Sequence, residues 1–237
     1  MKFDFNTIEG FGKITHQDFI HNPISFYPMD ILLALELGLL PDEASTDVPM
    51  PWFASRSVRI RVQDFAPTKT SIKYAKRITV SELRNEEILL ALNTLKNIFA
   101  QYITAKGYGK PYDIEPLLTN NLRQKVVLLY SYNDVPVAFC VLRVFSKAMC
   151  SLQFAWDYAE PKLSLGTVSQ YIECEFAKKN GIIYDYLMPA YERGCSYKAD
   201  FKGIEWYTGK NWSNDTEQLK QLMERDETFE INDNTGI

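Results

Sequence analysis

The chain has 237 residues, 46% hydrophobic and 14% aromatic, and a formal net charge of −4. That is ample material for a buried core without staples, and the acidic balance excludes a uniformly basic nucleic-acid binder. Cys140, Cys150, Cys174 and Cys195 show no C-x-x-C spacing, which argues against a disulfide framework or a structural zinc site, so no metal is assigned.

The N-terminus "MKFDFNTIEGFGK" lacks the continuous apolar run of a signal peptide, and "ILLALELGLL" is too short and too acidic to span a bilayer. A soluble cytoplasmic protein with no membrane partner is expected. The first 55 or so residues are rich in loop signals, with a short amphipathic helix at Met29 to Leu39. His16 and His21, the only histidines, both lie there, and nothing supports a histidine-based hydrolase. In "SVRIRVQDF", Val58, Ile60 and Val62 alternate with Arg59, Arg61 and Gln63, the period of a half-buried strand with a basic outer face. Lys69, Lys73, Lys76 and Arg77 recur at helical spacing, either a solvated face or a tracker of phosphates.

"ITVSEL" reads as a strand and "NEEILLALNTLKNIFAQYITAKG" as one long helix, with Asn85 as cap and Gly107 as stop. "KGYGKP" superficially resembles a phosphate cradle but lacks the following G-K-[ST], and reads as a helix-terminating turn. A second helix near "YDIEPLLTNNL" precedes three strands, "KVVLLYSYND", "VPVAFCVLRVF" and "MCSLQFAWDYA", the first two joined at Asn133-Asp134. "LSLGTVSQYIECEFAKKNG" is a helix closed by Gly181, "IIYDYLM" a buried strand and "GIEWYTGKNW" a final strand or hairpin. The tail from Asn214 holds seven acidic residues against Lys220 and Arg225, so the negative balance of the chain belongs to it. Within it "TEQLKQLMERD" is a short helix with Leu219, Leu222 and Met223 on one side.

Antiparallel strands joined to a strand–helix–strand crossover imply an α+β fold, a mixed sheet with helices on both faces. This succession resembles the GCN5-related N-acyltransferases, preceded by a small irregular N-terminal lobe. The linear organisation expected is a lobe over residues 1–70, an acyltransferase-like domain over 71–213 and an acidic tail over 214–237. The place of that superfold's pyrophosphate turn is taken by "PKLSLGTVSQ", whose single glycine is Gly166, so the usual coenzyme A loop is missing.

Three blocks in order carry a second resemblance: Arg59, Val62, Phe65, Pro67 and Thr70; then Ser164, Leu165 and Gly166; then Tyr197, Lys198, Ala199 and Phe201. Together they resemble the arginyl-tRNA-protein transferases and their bacterial leucyl relatives. The family's cysteine motif ahead of the first block is absent from "PWFASRSVRI". The resemblance implies an aminoacyl-tRNA-dependent transferase whose partners are charged tRNA and an amine on a peptide, a protein N-terminus or a small molecule. It implies no bound cofactor, the charged tRNA being a co-substrate.

Such a reaction starts from an activated ester, so the protein mainly positions two ends and stabilises an oxyanion. In this reading Tyr197 donates to the oxyanion or stacks on the terminal adenine, Lys198 neutralises a phosphate or an acidic acceptor, and Asp157 holds the incoming ammonium. Arg59 and Arg61 suit an acceptor carboxylate. Trp156, Ser164, Gly166 and Tyr186 complete the substrate-binding set, with Lys69, Lys73, Lys76 and Arg77 on tRNA. Packing roles stay open for each. The alternative is an acyl-CoA or other thioester N-acyltransferase of the same superfold, and a third reading is a non-catalytic peptide- or RNA-binding module. The amino acid moved, the acceptor and the oligomeric state stay open.

Overall fold

The computed structural model describes residues 31–42, 52–158, 161–190 and 193–227. His16, His21 and the chain end beyond Glu227 lie outside the described residues. The chain divides into two compact units, one of Met1–Ala66 with Tyr186–Ile237 and one of Pro67–Asp185. These units do not follow the chain linearly, because the strand formed after residue 203 returns to pair with the one formed before residue 62.

In the Pro67–Asp185 unit, Thr68 caps α2 (Lys69–Ala75), its Oγ1 accepting from the Ser71 N–H at 3.0 Å. The strand β4 (Thr79–Leu83) follows. The long helix expected next is two: α3 (Glu86–Leu90) and α4 (Leu92–Lys106), with Ala91 between them at φ −86° and ψ −3°. Nothing in the sequence marks that break. Asn85 does not cap with its side chain; instead the Glu87 carboxylate accepts from the Arg84 N–H at 3.0 Å. Gly107 ends α4 as its type requires, with φ 70° in the left-handed region.

After the short α5 (Glu115–Thr119), three antiparallel strands run as β5 (Lys125–Tyr132), β6 (Val135–Val144) and β7 (Ala148–Trp156). Asn133 and Asp134 join β5 to β6 with positive φ at both positions, the requirement of a type I′ hairpin. β4 pairs with β5, placing Leu83 opposite Val127, and Val127 in turn lies opposite Val141 on β6. Consecutive strand residues point to opposite faces. Phe139, Val141 and Ala155 pack in the cluster that holds Ile88, Leu95 and Phe99 of α3 and α4. The intervening Cys140 thiol faces Glu173 of α6 (Leu165–Lys179). Helices therefore cover both faces of this antiparallel sheet, as the sequence led us to expect. α6 also packs against α2.

β8 (Tyr184–Pro189) carries the chain from this unit into the other. There α1 (Ile31–Glu36) ends before the expected Leu39, because Gly38 turns the chain at φ 73°. A Cβ on Gly38 would lie 2.2 Å from the Tyr207 ring, so the position excludes any side chain. β1 (Leu39–Pro41) pairs with β2 (Trp52–Ala54), and β3 (Ser57–Arg61) pairs with β9 (Ile204–Tyr207), itself paired with β10 (Trp212–Ser213). Between β8 and β9 the chain makes a 3-10 turn over Arg193–Asp200. The tail forms α7 (Thr216–Glu227), which buries the expected Leu219, Leu222 and Met223 and packs on that turn and on β9. Its Asp226 accepts from Arg56 Nη2 at 2.6 Å with both side chains fully buried, so part of the acidic tail is core. No helix among the described residues is long and apolar enough to cross a membrane.

Candidate functional site

Cross-strand register decides the fate of the basic strand face. Arg59 on β3 lies directly opposite Glu205 on β9, and its Nε donates to Glu205 Oε2 at 2.8 Å. Its Nη1 donates to Glu36 Oε1 at 2.8 Å and to the Tyr186 hydroxyl at 3.0 Å, and Trp212 stacks on the guanidinium with its ring centroid 4.0 Å away. Arg61, two residues on, takes the other Glu205 oxygen at 2.9 Å. The face expected to be half-solvated is therefore buried at Arg59, which is 4% exposed. Burial opposes its charge, and Tyr186, Glu205 and Glu36 outweigh that, so the guanidinium is held ionised. The fork expected to receive an acceptor carboxylate is occupied by two carboxylates of the protein itself. Arg61 keeps 39% of its side chain exposed.

Tyr197 and Lys198 lie in the 3-10 turn and point to different tasks. The Lys198 ammonium donates to the carbonyls of Leu187 at 2.7 Å and Pro189 at 2.9 Å, tying the turn to the end of β8. Tyr197 is 55% exposed, its ring edge-on to Phe201 at 6.0 Å. The tyrosine faces water and the lysine anchors backbone.

The Pro67–Asp185 unit brings Trp156 and Gly166 together: a Cβ built on Gly166 would meet Trp156 Cη2 at 4.0 Å. Ser164 precedes α6 at φ 51° and ψ 42°, and its carbonyl accepts from the Thr167 and Val168 N–H groups at 2.9 and 3.1 Å. Asp157, half-buried, follows β7 and its N–H donates to the Val137 carbonyl at 2.7 Å. Lys69, Lys73, Lys76 and Arg77 are all exposed on and just after α2. Arg77 bonds the Tyr132 hydroxyl and lies 5.0 Å from that ring's centroid.

A group that residue-by-residue reading passed over lies beneath β7. Ser151 Oγ is 2.7 Å from Glu173 Oε2 and 2.8 Å from Asp185 Oδ1, while Gln170 Nε2 donates to Asp185 Oδ2 at 2.9 Å. A hydroxyl has one proton and cannot donate to two carboxylates, so one carboxyl must carry a proton and donate to Ser151. That carboxyl is Asp185, whose pKa is pushed up to about 8 by burial and then by the charge of Glu173. Burial raises Glu173 too, against hydrogen bonds from Ser151, Cys140 and Ser169. The same burial pushes the Cys140 thiol well up, and the Tyr130 hydroxyl is buried with no hydrogen-bond partner among the described residues. The sequence held one signal: Asp185 is the lone charge in the apolar "IIYDYLM", while Gln170, Glu173 and Cys174 share an otherwise apolar helix face. Among the described residues no group of three or more His, Cys, Asp and Glu side chains is arranged to hold a metal ion.

Comparison with known structures places the fold first. The chain superposes on FemX with a TM-score of 0.54 over 82% of this chain and 70% of that one, at 11% identity, which establishes a shared α+β fold. A GCN5-related N-acetyltransferase from Kribbella flavida is similar at a TM-score of 0.38, covering 68% of this chain and 54% of that one at 15% identity. Sequence comparison adds a likeness to a family. Residues 91–208 match the family model for the arginine-tRNA-protein transferase C terminus, a stretch that contains both the Ser164–Gly166 and the Tyr197–Phe201 blocks. An aspartate/glutamate leucyltransferase from Cereibacter sphaeroides is 27% identical over 177 residues, 67% of this chain. The chain spans 61% of that relative's length. In sequence it is thus similar to the arginine-tRNA-protein transferase C terminus and to an aspartate/glutamate leucyltransferase.

Proposed function

We propose that this chain is an aminoacyl-tRNA-dependent transferase, moving an amino acid from the 3′ ester of a charged tRNA to the α-amine of a peptide or protein. The observation that carries this reading is the family match over residues 91–208, which spans two of the three sequence blocks. Leucine as the residue moved and an aspartate or glutamate acceptor is the first pairing to test, because those are the residues in the name of the Cereibacter relative.

In the reaction the acceptor nitrogen attacks the ester carbonyl, the carbonyl oxygen becomes an oxyanion, and the tRNA 3′ oxygen leaves with a proton that the amine gives up. No covalent nucleophile is needed, which suits a buried and unreactive Cys140. Tyr197, exposed in its turn, is assigned to the oxyanion, and Lys198, fixed on two carbonyls, supplies a stationary positive charge beside it. Asp157 receives the acceptor ammonium. Arg61 meets an acidic acceptor side chain, while Arg59, Tyr186 and Glu205 hold its strand in register. Trp156, Ser164 and Gly166 take the aminoacyl end, and Lys69, Lys73, Lys76 and Arg77 follow the tRNA backbone.

The test is a transfer assay with labelled leucyl- and arginyl-tRNA against peptides that begin with Asp, Glu, Lys or Ala, beside an acetyl-coenzyme A titration. Label should pass to the Asp and Glu peptides only. Micromolar binding of acetyl-coenzyme A with no transfer from either charged tRNA would overturn the assignment in favour of a thioester acyltransferase.

A further inference from the structure

Phe154, Trp156 and Tyr158 alternate along the end of β7 and the turn after it, so they share one side of the chain. Their planes are close to parallel. Phe154 and Trp156 lie 5.2 Å apart at 27°, and Trp156 and Tyr158 5.0 Å apart at 31°. Tyr102, from the last turns of α4, adds a fourth ring 4.8 Å from Trp156, tilted at 50° to it, and nearly parallel to Tyr158, at 21° and 6.4 Å. Tyr108, 64% exposed, stands edge-on to Tyr102.

The tight core of this unit is mainly aliphatic, built around Ile88, Leu95, Val127 and Val141, and of the four rings Tyr102 packs against it. The four rings, by contrast, are each only partly buried. Beside Tyr102, α4 also brings a cation to Trp156: Lys106 Nζ lies 5.3 Å from its ring centroid, and both Lys106 and the nearby Lys110 are exposed. At Gly166 a Cβ would come 4.0 Å from the far edge of Trp156, and the glycine adds no side chain there. A ladder of half-open rings, three of them in a near-parallel row and bordered by lysines, is the combination that binds single-stranded nucleic acid, bases on rings and phosphates on cations.

We propose that this ladder receives the unpaired 3′ end of the charged tRNA, its terminal bases stacking on Trp156 and Tyr158 and its phosphates meeting Lys106. The assignment rests on the transferase reading above and extends it to Tyr102, Lys106, Tyr108 and Tyr158. Charge selects the occupant: a peptide acceptor with an acidic N-terminus gains little from four aromatic faces, whereas unpaired bases on an anionic backbone match both rings and lysines.

Filter binding tests the proposal with two tRNA(Leu) transcripts, one intact and one lacking its 3′-terminal CCA. The wild type should prefer the intact transcript at least tenfold. Tyr158→Leu should weaken the intact transcript about tenfold and Lys106→Gln about fivefold, and both should leave the truncated transcript within twofold. Trp156→Phe keeps the packing with a smaller face, and should lose the fluorescence quenching that a CCA trinucleotide causes in the wild type. If the variants change both transcripts equally, or neither, while transfer proceeds, the ladder assignment is wrong and the transferase reading survives. A wild type that binds neither transcript overturns both.

Discussion

Replacing Asp185 with asparagine tests the proton-sharing group beneath β7. Asp185 would ionise near its ordinary 3.8 in the unfolded chain, whereas in the fold it keeps its proton up to about pH 8. Between those values the native state binds the extra proton, so stability falls as pH rises, by about 1.4 kcal/mol per unit. Over the whole interval of about four units the loss is roughly 6 kcal/mol, comparable with the entire stability of many domains. Above about pH 8 both states are ionised at this position and its contribution stops changing. In Asp185→Asn the amide can donate to Ser151 and accept from Gln170, keeping the hydrogen-bond chain without a titrating proton. Urea unfolding followed by tryptophan fluorescence at pH 5.5, 6.5, 7.5 and 8.5 gives the two stability curves. The variant should gain on the wild type by about 1.4 kcal/mol per pH unit up to pH 8 and be the more stable protein at pH 8.5. Parallel curves would mean that Asp185 is ionised in the fold and that the single-proton reading of Ser151 is wrong.

Lys198→Ala should lower both transfer, at least tenfold, and the melting temperature, because the carbonyls of Leu187 and Pro189 lose a donor worth about 1–3 kcal/mol; unchanged melting would refute the anchoring contact. Arg59→Lys keeps the charge but cannot bridge Glu205, Glu36 and Tyr186 while stacking on Trp212, and should cost about 1–3 kcal/mol in urea unfolding. A loss below about 0.5 kcal/mol would show that the clasp is dispensable. Changing Lys69, Lys73 and Lys76 together to glutamine should flatten the salt dependence of tRNA binding by about one unit of slope per lost phosphate contact. The same slope in wild type and variant would assign α2 to an ordinary solvated face.

Period and punctuation made most elements legible in the sequence. Alternation located β3 and β5 to β7, Asn133-Asp134 set the hairpin because both positions need positive φ, and Gly107 stopped α4 for the same reason. The break at Ala91 carried no such mark, since alanine favours helix and the apolar stripe runs through it unchanged. The candidate residues Gly166, Tyr197 and Lys198 stood out because they lie in short blocks of residue types, and Trp156 because it lies on the strand before Gly166. What each side chain touches is another matter. Arg59 read as a solvated cation because alternation gives the face but not the partner; only the β3–β9 register set Glu205 opposite it and brought Glu36 and Trp212 over it. Lys198 likewise met its carbonyls through the turn geometry. Ser151, Glu173 and Asp185 are spread over a strand, a helix and another strand, and no spacing rule joins them. Local pattern determines which backbone states a segment can adopt, whereas the state of an ionisable group depends on what is packed within a few ångströms of it, and that is decided only when distant segments meet.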